Sequence, residues 1–276
     1  MKRRSDSLPS RASRFSTIGC GFPRHHRWNR ESQQEDAVHH PVNNLVFSNL
    51  LNVRDLGAYT TREGQPLRQR SLLRADDLCR LTGDGVQALL DYGVRTVIDL
   101  RWPADRETHP NFFHQKPGLV NHLHISLLGA TPDAWVATRP PGPKETFNCR
   151  VLEYARAETC AVLRAIATAP AGGVLFHCVS GKDRTGFVAA LLLALADVKP
   201  AVIAQDYGLS TENLREPYLA AFPREREATL ERVRCPPAQI ENMLAHLDER
   251  YGGVTGYLHE IGMTGPEIQK LEQRLL

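Results

Sequence analysis

GVLFHCVSGKDRTGFVAALLLAL, residues 173–195, changes character twice along its length. The apolar run ending at His177 reads as a buried strand, and Gly186 to Ala196 is apolar on every side, the pattern of a buried helix. Between them HCVSGKDRTG holds a cysteine, two glycines and, six positions after the cysteine, an arginine. A tight loop that feeds a helix N-terminus turns successive backbone N–H groups inward, and with the positive end of the helix dipole they cup a tetrahedral oxyanion. The same field favours thiolate, so Cys178 is expected to ionise readily and to act as a nucleophile.

Each remaining loop residue then has a use. Val179, Ser180, Gly181 and Gly186 supply the backbone of the cup and Lys182 a point charge. The planar fork of Arg184 suits two oxygens of a phosphoryl group. Thr185 is placed to donate its hydroxyl to a departing sulfur, and His177 to fix the loop from behind. The competing reading, an inert core thiol beside an ordinary turn, leaves three charged residues in a buried loop with nothing to do.

Upstream, VRTVIDLR (94–101) is β-branched and mostly apolar, hence a central parallel strand, and its end carries Asp99 and Arg101 to the carboxyl edge of the sheet, where open α/β sheets bind ligands. Arg70 to Arg74 reads as another strand, leading Arg74, Asp76 and Asp77 towards a helix. Thr82 caps a helix that stops at Gly93. Earlier still, Arg54 and Asp55 are adjacent opposite charges in a half-apolar segment, either a fixed ion pair or a surface turn. Asp105, Arg106 and Glu107 read as a solvated helix start. VNHLHISLL (120–128) is a third strand, after which Thr131, Pro132 and Asp133 form a turn. Glu145 to Ala169 reads as one helix. Downstream, residues 211–250 are charged and amphipathic, divided by Pro217, Pro223 and Pro236. Thr264 and Glu267 make a capping box with Pro266 between them.

The 276 residues are 42% hydrophobic and 24% charged, ordinary for a soluble globular chain. No apolar run reaches the roughly 18 residues of a membrane span. Six scattered cysteines without a C-x-x-C pair suit a reducing cytoplasm and imply no zinc site. The net charge of +3 belongs to residues 1–40, an aperiodic, Ser- and Arg-rich tail expected to be disordered. It has neither the apolar core of a signal peptide nor the composition of a nucleic-acid arm.

The loop resembles the C-x5-R signature of cysteine-dependent phosphatases, and its GKDRTG ending is similar to that of bacterial tyrosine and lipid phosphatases. NVRDLGAY from Asn52, SLLRADDL from Ser71, TVIDLR from Thr96, QDYGLST from Gln205 and YGGVTGYL from Tyr251 resemble segments of that group in the same order. The resemblance implies an α/β fold, a mostly parallel central sheet flanked by helices, over residues 41–276. It also implies a helical cap or lid over 211–250 and a buttressing role for Arg54 and Asp55, with Arg74, Asp99 and Arg101 as further supporting residues. It implies hydrolysis of a phosphotyrosine protein or a phosphoinositide through phosphocysteine, without metal, cofactor, nucleic acid or membrane insertion. A dual-specificity enzyme and a phosphate-binding module without turnover are the alternatives. Two aspartates compete as general acid: Asp183 inside the loop, and Asp133, whose T-P-D turn looks like a W-P-D loop lacking its tryptophan.

Overall fold

A computed structural model describes residues 45, 47, 49–138 and 147–276. The expectation for the tail of residues 1–40 lies outside the described residues. Five strands, β1 (Arg54–Asp55), β2 (Leu72–Ala75), β3 (Val94–Asp99), β4 (Asn121–His124) and β5 (Gly173–His177), form one sheet in the order β1-β2-β5-β3-β4. Only β1 is antiparallel to its neighbour. The strand read from residues 173–177 is the central one.

Alternation along the strands divides the core. Leu72, Ile98, Val174 and Phe176 face a large layer, whereas Leu73, Ala75, Val97 and Leu175 face a small one. The small layer is covered by α1 (Gly83–Tyr92) and by Phe113 of α3 (Phe112–Gln115). Thr82 accepts the Gly85 N–H at the start of α1, and Gly93 closes it at φ 108°. The short α2 (Pro103–Thr108) and α4 (Pro132–Thr138) follow β3 and β4.

The large layer holds α5 (Phe147–Tyr154), α6 (Arg156–Thr168), α7 (Asp183–Leu195), α8 (Pro200–Ala221), α10 (Ala238–Tyr251), α11 (Val254–Glu260) and α12 (Gly265–Leu275). Every residue of α7 from Arg184 to Leu193 is buried, which explains why it shows no polar face. The Thr264–Glu267 capping box opens α12 as read. Among the described residues, no helix is long and apolar enough to cross a membrane.

Several boundaries differ from the sequence reading. The 145–169 helix is two helices broken at Ala155, whose backbone leaves the helical region at φ −120°, ψ 36°. Pro217 does not divide the downstream segment but sits inside α8. The helix loses one backbone hydrogen bond there, and Leu214 and Tyr218, packed on Val233 of α9 (Arg226–Val233), hold it together. β2 starts at Leu72 because Arg70 takes a left-handed φ of 59°. The third strand ends at His124, on the half-exposed sheet edge.

Candidate active site

Ala75, Asp99 and His177 end their strands in register, so three loops leave the sheet side by side. The central one is the cysteine loop. Its carbonyls are turned outward and held: Val179 accepts from the Asp77 N–H (3.1 Å), Ser180 and Gly181 from Asn52 Nδ2 (3.0 and 3.1 Å), and Gly181 also from Arg74 Nη2 (2.8 Å). Among the described residues, no backbone N–H from Val179 to Arg184 has a protein acceptor. Gly181 makes the turn at φ 62°, and a Cβ there would lie 2.6 Å from the Ala75 carbonyl oxygen. Cys178 is buried, 3% exposed, at the start of this cup.

Two buried ionic clusters hold the loop from either side. In the first, Asp206 of α8 bonds Arg54 Nε (2.8 Å), Arg74 and the Tyr59 hydroxyl (2.8 Å). Burial opposes its ionisation, but Arg54 and Arg74 outweigh that and hold the carboxyl below its usual range. Arg54 also grips the Asn52 side chain, while Asp76 accepts the Leu51 and Asn52 N–H groups and pairs with Arg80. The expected Arg54–Asp55 pair does not form, because successive strand residues face opposite sides. Asp55 instead accepts from Gly57 N (2.8 Å), Arg70 N (2.7 Å) and the Tyr92 hydroxyl (2.7 Å).

In the second cluster Arg101, fully buried, bonds Asp99 and Asp77 and the His109 carbonyl. Burial pushes Asp77 up to about 6, since it must share the single charge of Arg101 with Asp99. Burial likewise pushes His177 down to about 4, so the ring is neutral near pH 7. Its Nδ1 then donates to the Cys178 carbonyl (3.3 Å) and its Nε2 accepts from Asn111 Nδ2 (3.5 Å).

Arg184, in the first turn of α7, lies over the Trp102 ring at 4.7 Å, donates to the Leu100 carbonyl (3.4 Å) and stands 3.7 Å from Asp105. Its Nε and Nη2 have no protein partner among the described residues, nor has the buried Thr185 hydroxyl. Asp105, read as part of a solvated helix start, is buried because α2 turns it towards Arg184.

Asp183 is partly exposed beside the loop and accepts from the Tyr207 hydroxyl at 3.0 Å. Asp133 is exposed in the first turn of α4, a helix rather than a free turn, with Thr131 as its N-terminal cap. The Lys182 ammonium is turned aside, donating to the Arg232 carbonyl at 2.7 Å. Gly186 does not line the cup; a Cβ there would meet the Tyr207 ring at 2.6 Å, so it serves the α7–α8 packing. Sequence reasoning named neither Asn52, Asp206 nor Asp105 as a site residue. Asp206 had a signal in the QDYGLST segment, while Asn52 and Asp105 act through contacts that only the fold creates.

Residues 45–276 match the tyrosine phosphatase family. A tyrosine-protein phosphatase of Nostoc commune is 34% identical, over 74% of this chain and 74% of its own. The triple specificity protein phosphatase PtpB of Mycobacterium tuberculosis is 28% identical, over 81% of this chain and 99% of its own. The crystal structure of P. aeruginosa TpbA covers 60% of this chain and 89% of its own at 18% identity and a TM-score of 0.34, a likeness too distant to carry an assignment.

Proposed function

The chain belongs to the tyrosine phosphatase family and is a protein-tyrosine phosphatase, and on that premise we propose that Cys178, Arg184 and the backbone of residues 179–184 carry out a two-step hydrolysis of phosphotyrosine. The observation that supports this most is the cup itself. Its carbonyls are tied outward, its N–H groups have no protein acceptor among the described residues, a cysteine stands at its start and an arginine with unpaired donors at its end.

The Cys178 thiolate attacks phosphorus, the S–P bond forms and the P–O bond to the tyrosyl oxygen breaks. The leaving oxygen takes its proton from the Asp183 carboxyl. Arg184 and the loop N–H groups bind the equatorial oxygens, where charge and geometry change most. Asp183, now ionised, takes a proton from water as the water attacks phosphorus. The S–P bond then breaks and the sulfur leaves as thiolate, accepting a hydrogen bond from Thr185. Asp105, Trp102 and the Leu100 carbonyl position Arg184. Asp206, Arg54, Arg74 and Asn52 hold the loop open.

Asp183 is favoured as the acid over Asp133 because it opens the helix that ends the cup. Asn substitution of each distinguishes them. Asp183→Asn flattens the basic limb of the kcat/KM profile while Asp133→Asn leaves it; the reverse result would assign the acid to Asp133. A free ammonium at Lys182 would suit a polyanionic head group, but here it is engaged by the carbonyls of Arg232 and Arg234. Phosphotyrosine peptide is therefore expected to be turned over with higher kcat/KM than phosphoserine peptide or phosphoinositide under identical conditions. Equal or better turnover of either would overturn that preference.

A further inference from the structure

At the amino ends of β2 and β5, away from the cysteine loop, lies a cleft of about 560 Å³ lined by Arg68, Arg70, Lys270 and Arg274. Among the described residues no carboxylate lines it. Among the described residues none of the four cations makes an ion pair, although the chain beyond residue 40 is nearly neutral, with 26 Lys and Arg against 27 Asp and Glu. Four like charges gathered in one concave surface without counter-charge repel one another and draw an anion.

Two of the four are fixed in place. Arg274 donates to the carbonyls of Gly172 (3.2 Å), Pro170 (3.0 Å) and Ala169, so its guanidinium is clamped to the turn before β5. Burial and the neighbouring Arg68 hold its pKa below the ordinary arginine value, the mark of a cation lacking compensation. Arg70 has a left-handed backbone, its N–H is bound to Asp55, and its guanidinium stacks on Tyr92 at 5.1 Å. Arg68 and Lys270 are exposed arms at the rim. Ser71, Thr168 and Gln273 add neutral hydrogen-bonding groups between them.

We propose that this cleft is a second anion site, which binds a compact polyanion carrying two or more phosphate groups. A single phosphate would answer only part of the charge, and the volume accommodates more than one. Among the described residues no cysteine or histidine lines the cleft, and the role proposed for it is binding. The same chemistry is offered by a soluble polyphosphate and by the polyphosphorylated head group of a lipid.

The test is calorimetric titration of the full chain with inorganic tripolyphosphate in the presence of saturating orthovanadate, which occupies the cysteine loop. One vanadate-insensitive site is expected. Arg68→Gln combined with Lys270→Gln is expected to weaken it by about tenfold or more while kcat/KM for a phosphotyrosine peptide is unchanged. Absence of that site in the wild type, or equal binding by the double variant, would overturn the proposal. Cosedimentation with vesicles containing phosphatidylinositol bisphosphate, and not with phosphatidylcholine alone, identifies a lipid-borne ligand. Tripolyphosphate binding without cosedimentation identifies a soluble one.

Discussion

Asp206 balances two buried guanidinium groups, those of Arg54 and Arg74, and through Arg74 it acts on the Gly181 carbonyl. Removing one member of a buried ionic cluster strands the others, at a cost of about 3–5 kcal/mol. Asp206→Asn is expected to lose that much stability in urea unfolding and to lower kcat; a loss below about 1 kcal/mol would mean the cluster is not what holds the loop. His177 gives a pH signature. Its folded value of about 4 lies below the ordinary 6.5, so the unfolded chain takes up the proton first and stability falls as pH drops from 6.5 towards 4. Asp77 acts in the opposite direction. Held at about 6 against an ordinary 3.8, it is protonated in the fold before it is in the unfolded chain, which adds stability as pH falls through 6. Unfolding free energies measured across this range should therefore decline less towards pH 4 in His177→Asn than in the wild type. An identical decline would show that the ring is not buried neutral.

The two elements that meet at Gly186 are the next level of dependence. Alanine in a helix interior ordinarily gains up to about 1 kcal/mol over glycine, but here its Cβ would press the Tyr207 ring at 2.6 Å. Overpacking of that kind costs about 1–3 kcal/mol, so the clash outweighs the propensity. Gly186→Ala is expected to lower the thermal midpoint, and Tyr207→Leu in the same chain to restore part of it. A stabilised Gly186→Ala would contradict the close α7–α8 packing. Much at this scale was legible in the sequence. The strand, loop and helix of residues 173–195, the caps of α1 and α12 and the parallel character of β3 follow from periodicity and capping chemistry. The break at Ala155 and the continuity through Pro217 did not, because packing rather than local propensity decides them.

For the molecule as a whole, the strand, loop and helix read at residues 173–195 stand at the centre of the sheet and at the end of it that carries the cup. The support of the cup was only half visible. Arg74, Asp99 and Arg101 were marked by their place at strand ends, whereas Asn52 meets the loop across 128 and 129 residues of chain and Asp206 meets Arg54 across 152. Pairs so far apart leave no trace in spacing. The central claim is that phosphate passes through Cys178. Rapid quenching of the Asp183→Asn variant during turnover of a phosphotyrosine peptide, followed by peptide mass spectrometry, tests it most directly. A phosphoryl group on Cys178, absent in Cys178→Ser along with turnover, is the predicted result. Phosphate release by Cys178→Ser at a rate near that of the wild type would contradict it.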